Sequence, residues 1–134
     1  MKIFCLDDDP KHLAVIQMTV GKEFNITCHL DSTTAIQAIR NGDYPIILLD
    51  IDMPGVNGMQ ILEALEKEDA DHLVILVTGK GEEEYAVKAF HSQMVWRYLL
   101  KPYSPSVLTG ILHEAIEHYD ARYTQYSRSK SKNS

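Results

Sequence analysis

Four apolar runs in this chain stop at polar residues that could do chemistry together: Leu6 runs into Asp7, Asp8 and Asp9, Leu49 into Asp50, Val77 into Thr78, and Leu100 into Lys101. Carboxylates gathered within a few ångströms repel by about 4 kcal/mol per close pair at an effective dielectric of about 20. They stay ionised only with cationic help. A hard divalent cation supplies it: Mg²⁺ takes one or two carboxylates, keeps several waters and draws its remaining oxygens from a phosphoryl group. A carboxylate held there is a nucleophile that can take the phosphoryl group as an acyl phosphate. Lys101 would neutralise a developing phosphoryl oxygen, and the Thr78 hydroxyl would hydrogen-bond another. The set is a complete phosphoryl-accepting site, which no member of it is alone.

These residues converge only if the elements carrying them lie side by side. Ile46 to Leu49 is a run of large apolar residues, the signature of a strand buried on both faces, and it stops at Asp50. Pro54, Gly55, Asn57 and Gly58 then hold the chain in a turn before a helix carrying Met59, Ile61, Leu62 and Leu65. The same alternation runs along the rest of the chain. Strands are expected at Lys2–Leu6, Phe24–His29, Leu73–Val77 and Trp96–Leu100, separated by amphipathic helices. Asp9 with Pro10, Asp31 or Ser32, and Ser104 with Pro105 supply helix starts. Glu82, Glu83 and Glu84 suit the positive end of a helix after the fourth strand. The pattern predicts an α/β fold with a doubly wound parallel sheet. All four strand ends then share one edge, where such sheets bind ligands.

Length and composition set bounds. At 134 residues, 45% hydrophobic and 24% charged, the chain reads as one globular domain. No apolar run is long enough to span a membrane and no secretory signal opens the chain, so a cytoplasmic location is expected. A net charge of −6 speaks against direct nucleic-acid binding by the body of the domain. Cys5 and Cys28 read as two reduced core thiols. The last helix carries its apolar stripe from Leu108 to Tyr126, about 23 residues from Ser104, more than short strands need for cover. Residues 1–126 are therefore expected to form the domain, and 127–134, built of Ser, Lys, Arg and Asn, a disordered tail or linker.

The spaced combination of Leu6-Asp7-Asp8-Asp9-Pro10, Asp50 with Met53-Pro54-Gly55 and Asn57-Gly58, Thr78, and Lys101-Pro102 resembles the receiver domain of two-component response regulators, over roughly Lys2 to Tyr119. The resemblance implies a flavodoxin-like fold of five strands in the order 2-1-3-4-5 with five helices. It makes Asp50 the phosphoacceptor, with Lys101 and Thr78 assisting. Asp8 would hold Mg²⁺ (or Mn²⁺) directly and Asp7 mainly through water, with Asp50 and the main-chain carbonyl of Asp52 completing the protein's share. Thr78 and Tyr98 would be the switch pair, and the Lys101-Pro102 peptide is expected to be cis. The phosphodonor would be a sensor histidine kinase or a phosphotransfer protein. The added charge, about −1.5 to −2, would bias the face made by the fourth helix, last strand and last helix. That face is expected to meet a downstream partner protein, a missing output domain or a second copy of the chain. The domain itself would be regulatory, with at most autophosphorylation from small phosphodonors and slow autodephosphorylation. Lys80 and Asp52 are expected to pair across the mouth of the site.

The alternative is an enzyme. Asp50-Ile51-Asp52, Thr78 and Lys101 also resemble, in chain order, the Mg²⁺-dependent phosphatases of the haloacid dehalogenase superfamily. Pro54 stands where that family has Thr or Val, and no acidic pair follows Lys101 at a strand end. His113 and His118 are one residue too far apart for a zinc-binding HExxH helix and read as solvated.

Overall fold

A computed structural model of the protein describes residues 1–51, 53, 58–68, 71–79 and 92–132, with side chains as far as Arg122. Strands β1 (Lys2–Leu6), β2 (Asn25–His29), β3 (Ile46–Asp50), β4 (Leu73–Thr78) and β5 (Val95–Leu100) form one sheet in the order β2-β1-β3-β4-β5. Every neighbouring pair is parallel. The described residues include four helices: α1 (Pro10–Val20), α2 (Ser32–Asn41), α3 (Gly58–Lys67) and α4 (Pro105–Lys132). The expected α/β fold and strand order are therefore observed. The helix expected from Glu82 onward lies outside the described residues, as do Asp52 and Lys80.

Alternate strand residues feed two cores. On one face Ile3, Cys5, Ile46, Leu48, Ile75 and Val77 pack against Leu13, Ile16 and Val20 of α1 and Leu108, Leu112 and Ala115 of α4. On the other, Phe4, Leu6, Ile47, Leu49, Val74 and Leu76 meet Ala35 and Ile39 of α2 and Met59, Ile61, Leu62 and Leu65 of α3. Each such large apolar side chain contributes about 1.5–3 kcal/mol by leaving water. That fixes register, because a slip of one residue would exchange the two faces. The central strands β3 and β4 are buried along their whole length, whereas the edge strands β2 and β5 are not.

Local chemistry places the helix starts. The Asp9 carboxylate accepts from Lys11 N–H at 3.0 Å with Pro10 opening α1, and Asp31 accepts from Thr33 N–H at 2.9 Å to open α2. Two features differ from the sequence reading. Helix α4 continues to Lys132, past the Tyr126 where the ordered domain was expected to end. No Gly or Pro stands between Ser127 and Lys132 to stop it, and Lys and Arg are good helix formers. Strand β5 starts at Val95 and is irregular: Val95 pairs with Val74 but Arg97 with Ile75, so Trp96 is the extra residue. Cys5 and Cys28 are free thiols packed in one core, as expected, and they are register partners on β1 and β2.

Candidate functional site

The carboxyl ends of β1, β3, β4 and β5 bring together most of the residues singled out by their spacing. Asp50, the last residue of β3, is 1% exposed, and its Oδ2 accepts a hydrogen bond from Lys101 Nζ at 2.6 Å. The same ammonium lies 3.8 Å from Asp7 Oδ2. Asp7 is buried and Asp8 exposed, and one carboxylate oxygen from each of Asp7, Asp8 and Asp50 can be chosen so that all three lie within 4.8 Å of one another. Thr78 ends β4 beside them; its hydroxyl donates to Gly79 O at 3.2 Å, and its carbonyl accepts from Lys101 N–H at 2.8 Å. That last bond ties the Lys101 backbone to β4, and the Lys101-Pro102 peptide is cis, as expected.

Tyr98 is not at the acid cluster. It pairs with Leu76 while Leu100 pairs with Thr78, so it stands two positions back from the rim, half-buried on the α2 and α3 face. Burial raises the pKa of its hydroxyl. The fourth expected metal contact, the carbonyl of Asp52, lies outside the described residues. His113 and His118 do not meet: His113 pairs with Glu23 at 2.5 Å and His118 stacks on Trp96.

Two residues that adjoin the acid cluster were not singled out from the sequence. His12 Nδ1 contacts Asp7 Oδ2, and the Tyr103 hydroxyl lies 2.5 Å from His12 Nε2. The carboxylate oxygen can only accept from an N–H, so His12 Nδ1 is the donor to Asp7, and the Tyr103 hydroxyl meets the other ring nitrogen. Asp7 Oδ1 also accepts from Asp9 N–H at 2.9 Å. Burial alone would push the Asp7 pKa up, but the His12 hydrogen bond, the Asp9 N–H and the Lys101 charge together bring it below the usual carboxylate value. Tyr103 is pushed well above the usual phenol value, chiefly by burial. One signal for His12 did exist: it is the third residue after the helix cap Asp9, the position from which side chains reach back over a helix start. Beside this chain of contacts a cleft of about 450 Å³ opens between α1 and the start of α4, lined by His12, Val15, Thr19, Lys101, Tyr103 and Leu108.

The donor set suits a hard cation. Among the described residues it consists of carboxylate oxygens, one from each of three residues close enough to share an ion, faced by the Lys101 ammonium. Among the described residues no helix is long and apolar enough to cross a membrane.

Comparison with known proteins agrees with this geometry. The response regulator receiver domain family model matches residues 3–113. The C4-dicarboxylate transport transcriptional regulatory protein DctD of Pseudomonas aeruginosa is 31% identical over 117 residues, 87% of this chain and 25% of DctD. The DNA-binding transcriptional activator EvgA of Escherichia coli K12 is 31% identical over 87 residues, 63% of this chain and 43% of EvgA. The chain thus spans less than half the length of these relatives. A CheY-like response regulator receiver domain protein from Methanospirillum hungatei JF-1 superimposes with a TM-score of 0.83 at 22% identity, over 90% of this chain and 97% of that one. Of the two families that the motifs resemble, the receiver is the one matched, over most of a chain whose sheet runs 2-1-3-4-5: the chain belongs to the response regulator receiver domain family.

Proposed function

We propose that Asp50 is the phosphoacceptor of this receiver and that Mg²⁺ binds beside it. The observation that carries the reading is the Asp50 carboxylate, buried at the end of a central strand yet held by Lys101 at 2.6 Å within reach of Asp7 and Asp8. Bound Mg²⁺ would supply the positive charge that lets carboxylates and a phosphoryl group share the rim. Asp8, which is exposed, and Asp50 would hold it directly. Asp7, whose oxygens already accept from His12 and Asp9 N–H, would contact it through water. The carbonyl of Asp52 remains part of the expected ligand set.

In the transfer, an Asp50 carboxylate oxygen attacks the phosphorus of a phosphohistidine. The P–N bond breaks as the P–O bond forms, its electron pair stays on the ring nitrogen, and the donor departs as neutral imidazole because its other ring nitrogen already carries a proton. Lys101 fixes the carboxylate through Oδ2 and offsets the charge that accumulates on the phosphoryl oxygens. Thr78 gives up Gly79 O and donates to a phosphoryl oxygen. That movement frees space toward β5, into which Tyr98 turns, and the change reaches the face of β5 and α4 that meets a partner protein, an output domain or a second copy. The donor is a histidine kinase or phosphotransfer protein. The cleft beside Lys101 suits its docking, because the exposed Val15 lines it together with Ile16 and Leu108. This reading places the domain in the cytoplasm, with small acyl phosphates as substitute donors and slow loss of the phosphoryl group to water.

The test is incubation of the chain with acetyl phosphate and Mg²⁺, followed by intact mass and peptide mapping. One phosphoryl group per chain is expected, on Asp50, absent without Mg²⁺ and absent from Asp50→Asn. Labelling that survives in Asp50→Asn, or multiple turnovers on a phosphate ester such as p-nitrophenyl phosphate, would overturn the proposal.

A further inference from the structure

Cys5 and Cys28 stand opposite each other on neighbouring parallel strands, so their side chains share one face of the sheet. Register partners on adjacent strands have Cα atoms about 4.8 Å apart, inside the span of about 4.4–6.8 Å that a disulfide bridges. Cys5 is buried, whereas Cys28 is half-buried on the edge strand, with its Sγ 3.2 Å from Gln17 Oε1 and 4.0 Å from Leu13 O of α1. We propose that Cys5 and Cys28 form a dithiol that a hydroperoxide closes to a disulfide, and that the disulfide weakens metal binding at the adjoining Asp7.

The chemistry balances with one oxidant. The Cys28 sulfur attacks a peroxide oxygen, the O–O bond breaks, and the departing oxygen takes the Cys28 proton to leave as an alcohol, or as water from hydrogen peroxide. Cys28 is then a sulfenic acid. The Cys5 sulfur attacks it, the S–O bond breaks, and the hydroxyl leaves with the Cys5 proton as water. The two thiols lose two electrons and the peroxide gains them. Exposure assigns the roles: Cys28 is reached from solvent, and Cys5 lies behind it. Such a transient dithiol is the form in which cysteines pair in a reducing compartment.

Both supports of Asp7 adjoin the pair. Asp7 N–H donates to His29 O at 3.2 Å, and His29 follows Cys28 on β2. The Asp7 side chain rests on His12, and His12 precedes Leu13, whose carbonyl faces Cys28. Closing a disulfide holds the two Cβ atoms at about 3.8 Å and fixes both side-chain torsions, so β1 and β2 lose their independent adjustment two residues before Asp7.

The coupling rests on the proposed Mg²⁺ site, so the test separates the two. The purified chain is treated with hydrogen peroxide, denatured, alkylated with N-ethylmaleimide and weighed intact, and Mg²⁺ affinity is read by calorimetry before and after oxidation. The expected product is a monomer two hydrogens lighter, blocked at both cysteines and restored by dithiothreitol. It should bind Mg²⁺ about tenfold more weakly than the dithiol form, as for loss of an outer-shell contact. Cys28→Ser should bind Mg²⁺ like the dithiol form and no longer respond to peroxide. Free alkylatable thiols, separate sulfinic acids, chain-to-chain linkage, unchanged Mg²⁺ affinity or a peroxide response in Cys28→Ser would each overturn the inference. A dithiol form that binds no Mg²⁺ would instead overturn the site reading, and the coupling with it, while the mass still decides the disulfide.

Discussion

Lys101 Nζ and Asp50 Oδ2, separated by 51 positions in the chain, meet at 2.6 Å, and the same ammonium reaches Asp7 Oδ2 at 3.8 Å. A single cation from the end of β5 thus serves carboxylates from β1 and β3, both of them buried. It stands 30% exposed, so solvent weakens each pairing but does not remove it. The acid cluster is held together in part by the residue to which the proposed phosphoryl transfer gives a role.

Replacing Lys101 should therefore cost stability as well as activity. Lys101→Met removes the partner of a buried carboxylate, a change that costs about 3–5 kcal/mol when both groups are buried. With the lysine partly in water, a loss of about 2 kcal/mol is expected in chelator. Mg²⁺ should restore most of it, because the ion replaces the missing positive charge, and so should adding Asp50→Asn. Urea midpoints of the single and double variants, with and without Mg²⁺, decide this. A Lys101→Met chain that Mg²⁺ leaves equally unstable would show that the ion does not reach these carboxylates.

Two glycines should respond to alanine in opposite directions. A Cβ on Gly58 would stand 2.5 Å from Asp50 O and 2.7 Å from Ile51 Cα, and both of those are backbone atoms that cannot step aside. Gly58→Ala should cost about 1–3 kcal/mol, as overpacking does, and should slow phosphorylation by displacing the end of β3. Gly110 sits inside α4, where a Cβ would meet nothing within 4 Å. Gly110→Ala should therefore stabilise by about 0.5–1 kcal/mol through helix propensity. Thermal melts of the two variants check both signs.

The parts of the site that end strands were legible in the sequence, and the parts that depend on which strands become neighbours were not. Asp50, Thr78 and Lys101 could be found because each follows an apolar run, and a parallel sheet sends all such ends to one edge. Tyr103 and His12 lie 91 positions apart and on different elements, so nothing in either local pattern joins them. Cys5 and Cys28 each read as an ordinary core thiol until the β1–β2 register placed them face to face. Gly58 was legible as a turn residue, but its close approach to the Asp50 backbone is a tertiary fact. The irregularity at Trp96 has no turn residue to announce it; a bulky aromatic simply fills the extra position on an edge strand.

The His12 and Tyr103 contacts form a chain, and chained contacts are not additive. His12→Ala removes a hydrogen bond to the Asp7 carboxylate, a class of interaction that contributes about 1.5–3 kcal/mol, and Tyr103→Phe removes a neutral one contributing about 1 kcal/mol. Tyr103 reaches Asp7 only through His12, so the double variant should lose less than the sum, with a coupling of about 0.5–1 kcal/mol. Denaturant unfolding of the four-member cycle measures it. Strict additivity would mean that the two residues support Asp7 independently.

Asp31 offers a pH test away from the acid cluster. Its carboxylate opens α2 by accepting from the Thr33 hydroxyl at 2.7 Å and from Thr33 N–H at 2.9 Å, and these bonds lower its pKa, the hydroxyl first. A folded pKa below the unfolded value of about 3.9 means that the unfolded chain takes up the proton more readily. The stabilisation is thus complete above that value and disappears as pH falls through the lower, folded one. The melting temperature of Asp31→Ala should trail that of the parent chain at neutral pH, with the gap closing only below about pH 4. Asp31→Asn keeps a capping oxygen but no charge, so it should stay close to the parent at neutral pH and hold its lead over Asp31→Ala as acid is added. A gap between parent and Asp31→Ala that persists unchanged to the acid end would show that Asp31 caps the helix without its charge taking part.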